Sequence, residues 1–486
     1  MSENPDYPKE ACGIIGVFDP KNNVTGQILF GLMALQHRGQ EAAGVAVSGS
    51  NGAVKVRKAL GLVGEGFSQW DLHDGEGNIG IGHVRYSTVG PSTLEEAQPF
   101  YLAGPLGGIA LAHNGNIVNY RELRSRLLEQ GVELRTGSDA EILANIFAEE
   151  VAKTANIFEA LMNLSKIVEG GYSVVCVTGN RQLLVWRDPH GFRPLCYGVK
   201  NGVFMCASES VAIDMCGGEL VGDVGPGEAI VVSSEGVVRQ RYAPTHRKAH
   251  CMFEYVYFSR PDSIAVERQV YDVRLRLGEN LASVIPRDAD VIVPVPDTSR
   301  PAAEGASRLT GKPVAEGLIK NRYVHRTFIM PDQSRRENAV KAKLNALKSV
   351  LKGQRIVLID DSIVRGTTLK GIVSLIKKAG AREVHVRITC PKIIAPCFYG
   401  IDIATHRELI ASDHSVDEIG KLLGADSLEY QTVEGLIGAI GLDAQSLCLA
   451  CLTGKYPTPK AQEIADTMKN RLPVMGGRVR YIEVQP

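Results

Sequence analysis

The sequence predicts two units in tandem, an α+β unit of packed sheets and helices followed by an α/β unit built on a parallel sheet. Three observations predict it. Residues 12–240 carry many short apolar runs (GIIGVF, GVAVS, GIALAHNG, YSVVCV, LLVWRD, EAIVVS) separated by turn residues, with helical stretches only at 27–36, 120–130 and 139–152. That is strands and packed helices without a simple βαβ alternation. From about 265 the pattern changes. ADVIVPVP and QRIVLIDD are continuous apolar strands, EVHVRITCP follows a helix ending at Gly380, and helical stretches alternate with them. Such runs suit a parallel sheet covered on both faces. The third observation is the break between them: residues 241–265, which include RYAPTHRKAHCMFEYVYFSRPD, read as a connector. The second unit then spans 266–470, helical after 412 and ending in CLACLTGKYP, and 471–486 form a tail.

Length and charge bound the function. At about 150 residues per domain, 486 residues suggest two to four domains with a sizeable core. Lys plus Arg and Asp plus Glu are both 54, so the net charge is zero and gives no support for a nucleic-acid or membrane partner. The N-terminal MSENPDYPKEA lacks an apolar stretch and no run of 18 apolar residues occurs, so neither a signal peptide nor a membrane span is expected. The ten cysteines are scattered without a secreted-domain pattern, which excludes a disulfide framework. The expected class is a cytoplasmic enzyme with reduced cysteines.

Cys12 lies in EACGIIGVF, behind a polar leader. A lone cysteine is ordinarily a core residue, but four further segments change its weight. LQHRGQEAAG places His37 and Arg38 at a helix end before Gly39, and GHVRYST supplies Arg85 just past a strand. AHNGNIVNY presents Asn114 and Gly115 in a tight turn, and TGSDAE presents Asp139 at a helix N-cap. Splitting an amide needs a nucleophile, a base, an oxyanion hole and a clamp for the amino-acid head group. A thiol on the first residue of a chain has an α-amino group beside it, with an unperturbed pKa of roughly 7.7–8.0, that can act as the base. An Asn amide and a Gly N–H suit the oxyanion, an Arg the substrate carboxylate, and an Asp its ammonium.

These segments together resemble the glutaminase domain of the N-terminal-nucleophile amidotransferases. The resemblance implies an αββα sandwich over 12–240, with Cys12 as nucleophile, Asn114 and Gly115 as oxyanion hole, and Arg85 and Asp139 binding glutamine. It also implies that residues 1–11 are a propeptide removed before Cys12.

RIVLIDDSIVRGTTLKGIVSLIKKAG (355–380) is the strongest single signal. An apolar strand ends in Asp360 and Asp361, and the loop SIVRGTT opens a helix. Loop N–H groups with a helix N-terminus behind them suit a phosphate, and paired carboxylates suit a ribose diol with magnesium. A dinucleotide fold would need GxGxxG after this strand, which residues 355–380 lack. The segment resembles the type I phosphoribosyltransferase motif. The resemblance assigns Asp360 and Asp361 to the ribose hydroxyls of phosphoribosyl pyrophosphate, and Arg365, Gly366, Thr367 and Thr368 to its 5-phosphate loop. VPVPDTSRPAA resembles the pyrophosphate loop, giving Thr298, Asp360 and Asp361 as magnesium-linked positions. The basic stretch 320–345 resembles the loop that closes over substrate, with Lys320, Arg322, Arg326 and Lys343 for pyrophosphate. Its Lys341-Ala-Lys343 keeps the charge of the family's Arg-X-Lys but not the bidentate fork.

Cys448 and Cys451 form a C-x2-C pair, which alone is compatible with zinc, a cluster or neither. Both halves together resemble the family of glutamine phosphoribosylpyrophosphate amidotransferases, in its propeptide-containing, iron–sulfur subclass. That resemblance implies a [4Fe–4S] cluster on Cys251, Cys397, Cys448 and Cys451, with structural zinc as the alternative. Cys390 and the four cysteines at 176, 196, 206 and 216 read as core. The implied reaction converts glutamine, water and phosphoribosyl pyrophosphate to phosphoribosylamine, glutamate and pyrophosphate, the committed step of purine synthesis. Ammonia channelling between the sites, inhibition by purine nucleotides of the AMP, ADP and GMP class, and a homotetramer are further implications. A different glutamine-dependent enzyme would lack LIDDSIVRGTT, and a base-salvage phosphoribosyltransferase would not need residues 12–240.

Overall fold

The computed structural model describes residues 12–67, 77–86, 93–321, 344–403 and 406–470, apart from the side chains of 407, 469 and 470. The first unit has thirteen strands among these residues. They are β1 (Gly13–Phe18), β2 (Ala42–Ser48), β3 (Val54–Leu60), β4 (Ile79–Arg85), β5 (Phe100–Leu102), β6 (Ile109–Ile117), β7 (Gly170–Thr178), β8 (Leu183–Arg187), β9 (Cys196–Lys200), β10 (Val203–Ala207), β11 (Glu219–Asp223), β12 (Glu228–Ser233) and β13 (Gly236–Arg241). They form two antiparallel sheets, ordered β11-β9-β10-β1-β4-β2-β3 and β13-β12-β8-β7-β6-β5.

Alternation of side chains along each strand decides what lies between the sheets. Ile14, Ala46, Ile79 and Ile81 of the first sheet pack against Ala110, Ala112, Val175, Val177 and Val185 of the second. The opposite faces are covered by helices. α1 (Thr25–Ala34) packs Ile28 and Leu32 onto Ile15, Val17, Val45 and Val84. On the second sheet, α2 (Tyr120–Glu129), α3 (Asp139–Thr154) and α4 (Ile157–Ile167) bury Leu123, Ile142, Phe147 and Leu161 against Leu111, Val174 and Trp186. The architecture is an αββα sandwich, as expected. β1 lies near the middle of its sheet, so the chain emerging at Cys12 is held at the open end of β1.

The second unit has a parallel sheet of β14 (Val291–Pro294), β15 (Arg355–Asp360), β16 (Glu383–Ile388) and β17 (Ser427–Tyr430), in that order. Every residue of β14 and β15 is buried except Arg355 at the start of β15. α5 (Val270–Leu281) and α6 (Arg300–Thr310) pack on each other, and α7 (Thr367–Lys378) lays Leu369, Ile372, Val373 and Ile376 on the sheet core. Both faces are covered, which is why these strands read as unbroken apolar runs.

Residues 241–265 are not an exposed linker. Met252, Phe253, Tyr255 and Val256 are buried in the core of the second unit, and Glu254–Phe258 form a short π-helical turn. The charged run RYAPTHRK hides this, because its apolar partners come from α5 and the sheet, distant in sequence. Cys176, Cys196, Cys206 and Cys390 are core residues as expected, whereas Cys216 is only half-buried.

Candidate active site

Cys12 precedes β1 directly, and its backbone is tethered by Arg38, whose Nε donates to the Cys12 carbonyl at 3.3 Å. Its Sγ donates to the Tyr86 carbonyl at 3.5 Å. Burial pushes the thiol pKa up; the Tyr86 bond and Arg85 oppose the rise, while Asp139 and Glu41 add to it. Arg85 and Asp139 thus sit within electrostatic reach of Cys12, although the two are 54 positions apart in sequence. Arg85 is the last residue of β4 rather than beyond it, and its Nη2 lies 3.9 Å from Glu96 Oε2.

Asp139 is the first residue of α3, and the N-cap is Ser138, whose hydroxyl accepts from the Ala140 N–H. Asp139 Oδ2 accepts from the Ile117 N–H at 3.0 Å and lies 3.3 Å from His113 Nε2. Burial raises its pKa, but His113 and the Ile117 N–H outweigh burial and hold the carboxyl below its ordinary value. It is therefore ionised at neutral pH and able to take an ammonium.

Asn114 and Gly115 are in β6, not in a tight turn. The apolar-polar irregularity of HNGNI suggests a turn, but the ladder with β7 runs through it, pairing Asn114 with Ser173 and Gly115 with Tyr172. Gly115 has φ +152°, and a Cβ there would lie 1.8 Å from the Gly171 carbonyl oxygen. Only glycine fits this approach. Asn114 is fully buried; its Nδ2 is 3.5 Å from Ser208 Oγ, and its Oδ1 has no hydrogen-bond partner among the described residues. Ser208 also accepts from the Ile14 N–H at 3.0 Å, so it links β1 to the Asn114 amide.

The second site lies at the C-terminal edge of the parallel sheet, where loops rather than strand bonds take up the backbone groups. Asp360 ends β15, and Asp361 follows. Asp361 accepts from Thr298 Oγ1 at 2.5 Å and from Ser362 Oγ at 2.6 Å, so Thr298 and Asp361 are brought together across 63 residues. Burial raises the Asp361 pKa against these bonds and the nearby Arg274. Gly366, at φ +80°, turns the loop into the N-terminus of α7, where Thr367 and Thr368 begin the helix. Arg365 pairs with Glu408, and Lys320 Nζ donates to Asp297 Oδ2 at 3.0 Å. Arg322, Arg326, Lys341 and Lys343 lie outside the described residues.

Cys251 of the connector and three cysteines of the second unit converge. Cys251, Cys397, Cys448 and Cys451 line one small cavity together with Phe192, Arg193 and Tyr399. Cys251 and Cys448 face each other on a short parallel bridge of His250–Cys251 with Leu447–Cys448. Cys390 does not line the cavity. Burial raises all four thiols, Cys251 to about 12, while the Arg193 guanidinium opposes this at Cys251 and Cys397. Among the described residues no three His, Cys, Asp or Glu side chains are grouped closely enough to hold a single metal ion.

The chain was compared with known proteins. Residues 83–215 match the glutamine amidotransferase domain, and residues 269–395 match the phosphoribosyl transferase domain. The amidophosphoribosyltransferase of Methanothermobacter thermautotrophicus is 48% identical over 460 residues, covering 94% of this chain and 97% of the relative. The chain belongs to the amidophosphoribosyltransferase family. The Bacillus subtilis amidophosphoribosyltransferase is 43% identical, covering 93% of this chain and 95% of its own length. The solved Bacillus subtilis glutamine phosphoribosylpyrophosphate amidotransferase, complexed with ADP and GMP, superposes with a TM-score of 0.86 at 41% identity. That match covers 92% of this chain and 98% of the solved one. As an amidophosphoribosyltransferase-family enzyme, the chain joins a glutamine amidotransferase unit to a phosphoribosyltransferase unit. Among the described residues no helix is long and apolar enough to cross a membrane.

Four partners were not legible in advance. Glu209 and Glu254 anchor Arg38, Ser208 contacts Asn114, and His113 faces Asp139. Ser208 and the two glutamates sit in segments with no motif. His113 stood inside AHNGNIVNY, and its place before the strand glycine was the one available signal.

Proposed function

We propose that the chain makes 5-phosphoribosylamine from phosphoribosyl pyrophosphate and glutamine, opening de novo purine synthesis in the cytoplasm. The observation that carries this is the pairing in one chain of the Cys12, Arg85 and Asp139 grouping with the Asp360–Asp361 loop. Removal of residues 1–11 would free the Cys12 α-amino group. That amine takes the thiol proton, and the sulfur attacks the glutamine amide carbon. Arg85 takes the substrate carboxylate and Asp139 its ammonium. Asn114 and Gly115 hold the tetrahedral oxygen. The amine returns the proton to the leaving nitrogen, ammonia departs, and water cleaves the thioester to glutamate and free thiol. Ammonia then forms a bond to the anomeric carbon of phosphoribosyl pyrophosphate, and the bond to pyrophosphate breaks.

Asp360 and Asp361 would bind the ribose hydroxyls, and the 365–368 loop at the α7 N-terminus would hold the 5-phosphate. Thr298, Asp360 and Asp361 fit a magnesium site of the kind that uses few carboxylates and completes its shell with substrate oxygens. Magnesium bound there neutralises charge on the departing pyrophosphate. Lys320, with Arg322, Arg326 and Lys343, supplies further positive charge. Closure of the 320–345 segment would shield ammonia from water between the sites.

The four cavity cysteines fit a [4Fe–4S] cluster. A zinc ion needs all four sulfurs within about 2.3 Å of one point. A [4Fe–4S] cluster takes one thiolate on each iron, and four cysteines lining one cavity support that reading. Its part would be to tie the connector to both ends of the second unit. Inhibition by ADP- and GMP-class nucleotides and a homotetramer complete the proposal. The deciding experiment is glutamine-dependent pyrophosphate release from phosphoribosyl pyrophosphate, paired with iron and sulfide determination. No release, or one zinc per chain in active protein, would overturn the corresponding part.

A further inference from the structure

The two halves meet directly at the amide-splitting site. Asn116 lies in β6, two residues after Asn114, and its Nδ2 donates to the Phe398 carbonyl of the second unit at 2.9 Å. Gly400, at φ +103°, packs on the backbone of Gly115: a Cβ there would lie 2.9 Å from Gly115 C and 3.0 Å from its Cα. Two glycines from opposite units are thus back to back. Gly115 is hemmed on its other side by Gly171. The backbone of the strand is therefore held between its own sheet and a loop of the other unit.

That loop is itself braced. Tyr399 stacks on Phe192 of the first unit, with ring centroids 3.9 Å apart, and its hydroxyl lies 3.0 Å from Thr458 Oγ1. The Tyr456 hydroxyl donates to the Pro396 carbonyl at 2.7 Å. Phe398 and Tyr399 are buried. The loop begins at Cys397, one of the cavity cysteines.

We propose that Asn116 and Gly400 are positioning residues for the oxyanion hole, latching the Cys397–Gly400 loop of the second unit onto the strand backbone at Gly115. The inference rests on the reading of Asn114 and Gly115 as oxyanion donors. Preorganised donors stabilise a transition state only when they are aimed at the oxygen it develops. A backbone clamped on both faces loses the freedom that would blur that aim. The latch also means that whatever Cys397 holds braces the glutaminase site, without touching glutamine. Among the described residues neither one hydrogen-bonds to the phosphoribosyl site, so its chemistry is expected to be independent of the latch.

The test uses the full chain with Asn116→Ala and Gly400→Ala. Each is assayed with glutamine and with ammonia as nitrogen source, and for iron content. Affinity is measured for glutamate and for the aldehyde analogue of glutamine. The Cys12 thiol adds to that aldehyde, forming an S–C bond and leaving the former carbonyl oxygen in the oxyanion position. Loss of a whole oxyanion donor costs about 10²–10³ in kcat, so a misplaced one is expected to cost roughly 10- to 100-fold. In both variants kcat with glutamine falls by that factor, KM for glutamine and affinity for glutamate hold, and ammonia-dependent turnover and iron content match the wild type. Affinity for the aldehyde falls in step with kcat, because it measures transition-state rather than ground-state binding. Glutamine turnover within twofold of wild type, or an equal loss with ammonia, overturns the latch. If Gly400→Ala does not accumulate as folded, iron-loaded protein, Asn116→Ala decides alone. Asn114→Ala separates the two levels: if it leaves glutamine turnover intact, the oxyanion reading itself fails. If it abolishes turnover while the latch variants do not, only the latch fails.

Discussion

Arg38 and Glu254 form a buried, bidentate ion pair between the amide-splitting unit and the start of the second, with Nη1–Oε2 at 3.0 Å and Nη2–Oε1 at 2.8 Å. Arg38 also donates to Glu209 at 2.5 Å, and Glu254 accepts from Arg193 at 2.6 Å and from Ser259 at 2.7 Å. The same guanidinium holds the Cys12 carbonyl. The network that joins the halves is therefore the network that seats Cys12. Breaking a buried pair from one side leaves the other charge uncompensated, which costs about 3–5 kcal/mol. Glu254→Ala is accordingly expected to lose stability of that order, read as a lower denaturation midpoint in urea. A change below 1 kcal/mol would show that the two arginines find other partners.

Glu209 makes the same network sensitive to acid. Burial raises its pKa, but His37 at 2.7 Å and Arg38 outweigh burial and hold it well below the ordinary carboxylate range. The unfolded chain thus binds a proton at Glu209 more readily than the folded one. This contribution to stability is present above the unfolded value of about 4.3 and is lost as pH falls toward the folded value. Wild type is expected to lose stability more steeply than Glu209→Gln between pH 5 and 3, by roughly that one proton. Parallel curves would remove Glu209 from the acid response.

Cys12→Ala is expected to abolish turnover with glutamine and to preserve turnover with ammonia, because the phosphoribosyl site needs only the nitrogen nucleophile. Intact mass should place Cys12 at the N-terminus of active wild-type protein. Simultaneous loss of both activities in a folded variant, or active protein retaining Met1, would contradict the assignment.

Asp361→Asn should lose activity with either nitrogen source. Asp361 accepts from both Thr298 and Ser362, so the amide keeps much of the packing while losing the charge a magnesium-bound substrate requires. Calorimetry should show weakened binding of magnesium with phosphoribosyl pyrophosphate. Near-normal ammonia-dependent turnover would exclude the role.

Cys448→Ser and Cys451→Ser should each lose iron and sulfide and lower the unfolding temperature, since both thiols face the same cavity as Cys251 and Cys397. Cys390→Ser, outside that cavity, should keep its iron. Equal iron in all three variants would overturn the ligand set.

Much of this protein could be read from local signals. Asp360 and Asp361 announce themselves because a buried strand ending in two acids and a glycine-bearing loop has few other uses. The Cys448–Cys451 spacing pointed to a bound group, though not to which one. The turn assigned to Asn114 and Gly115 failed for a physical reason. Gly115 is a glycine because another backbone approaches it within a sheet, and in sequence such a glycine looks the same as one in a turn. The burial of the connector was equally hidden, its apolar residues being matched by partners far along the chain.

Sequence alone determined the two fold classes and the place of the Asp360–Asp361 pair at a strand end, because these rest on periodicity or on residues within one short segment. Only the tertiary structure decided that Arg38 joins Cys12 to Glu209 and Glu254, that four distant cysteines share a cavity, and that Gly400 lies on Gly115. Those relationships depend on contacts between segments 26 to 285 residues apart, as at Asn116 and Phe398 with 282. Buried charge and close backbone packing are properties of the folded whole, and no local pattern encodes which distant partner will supply them.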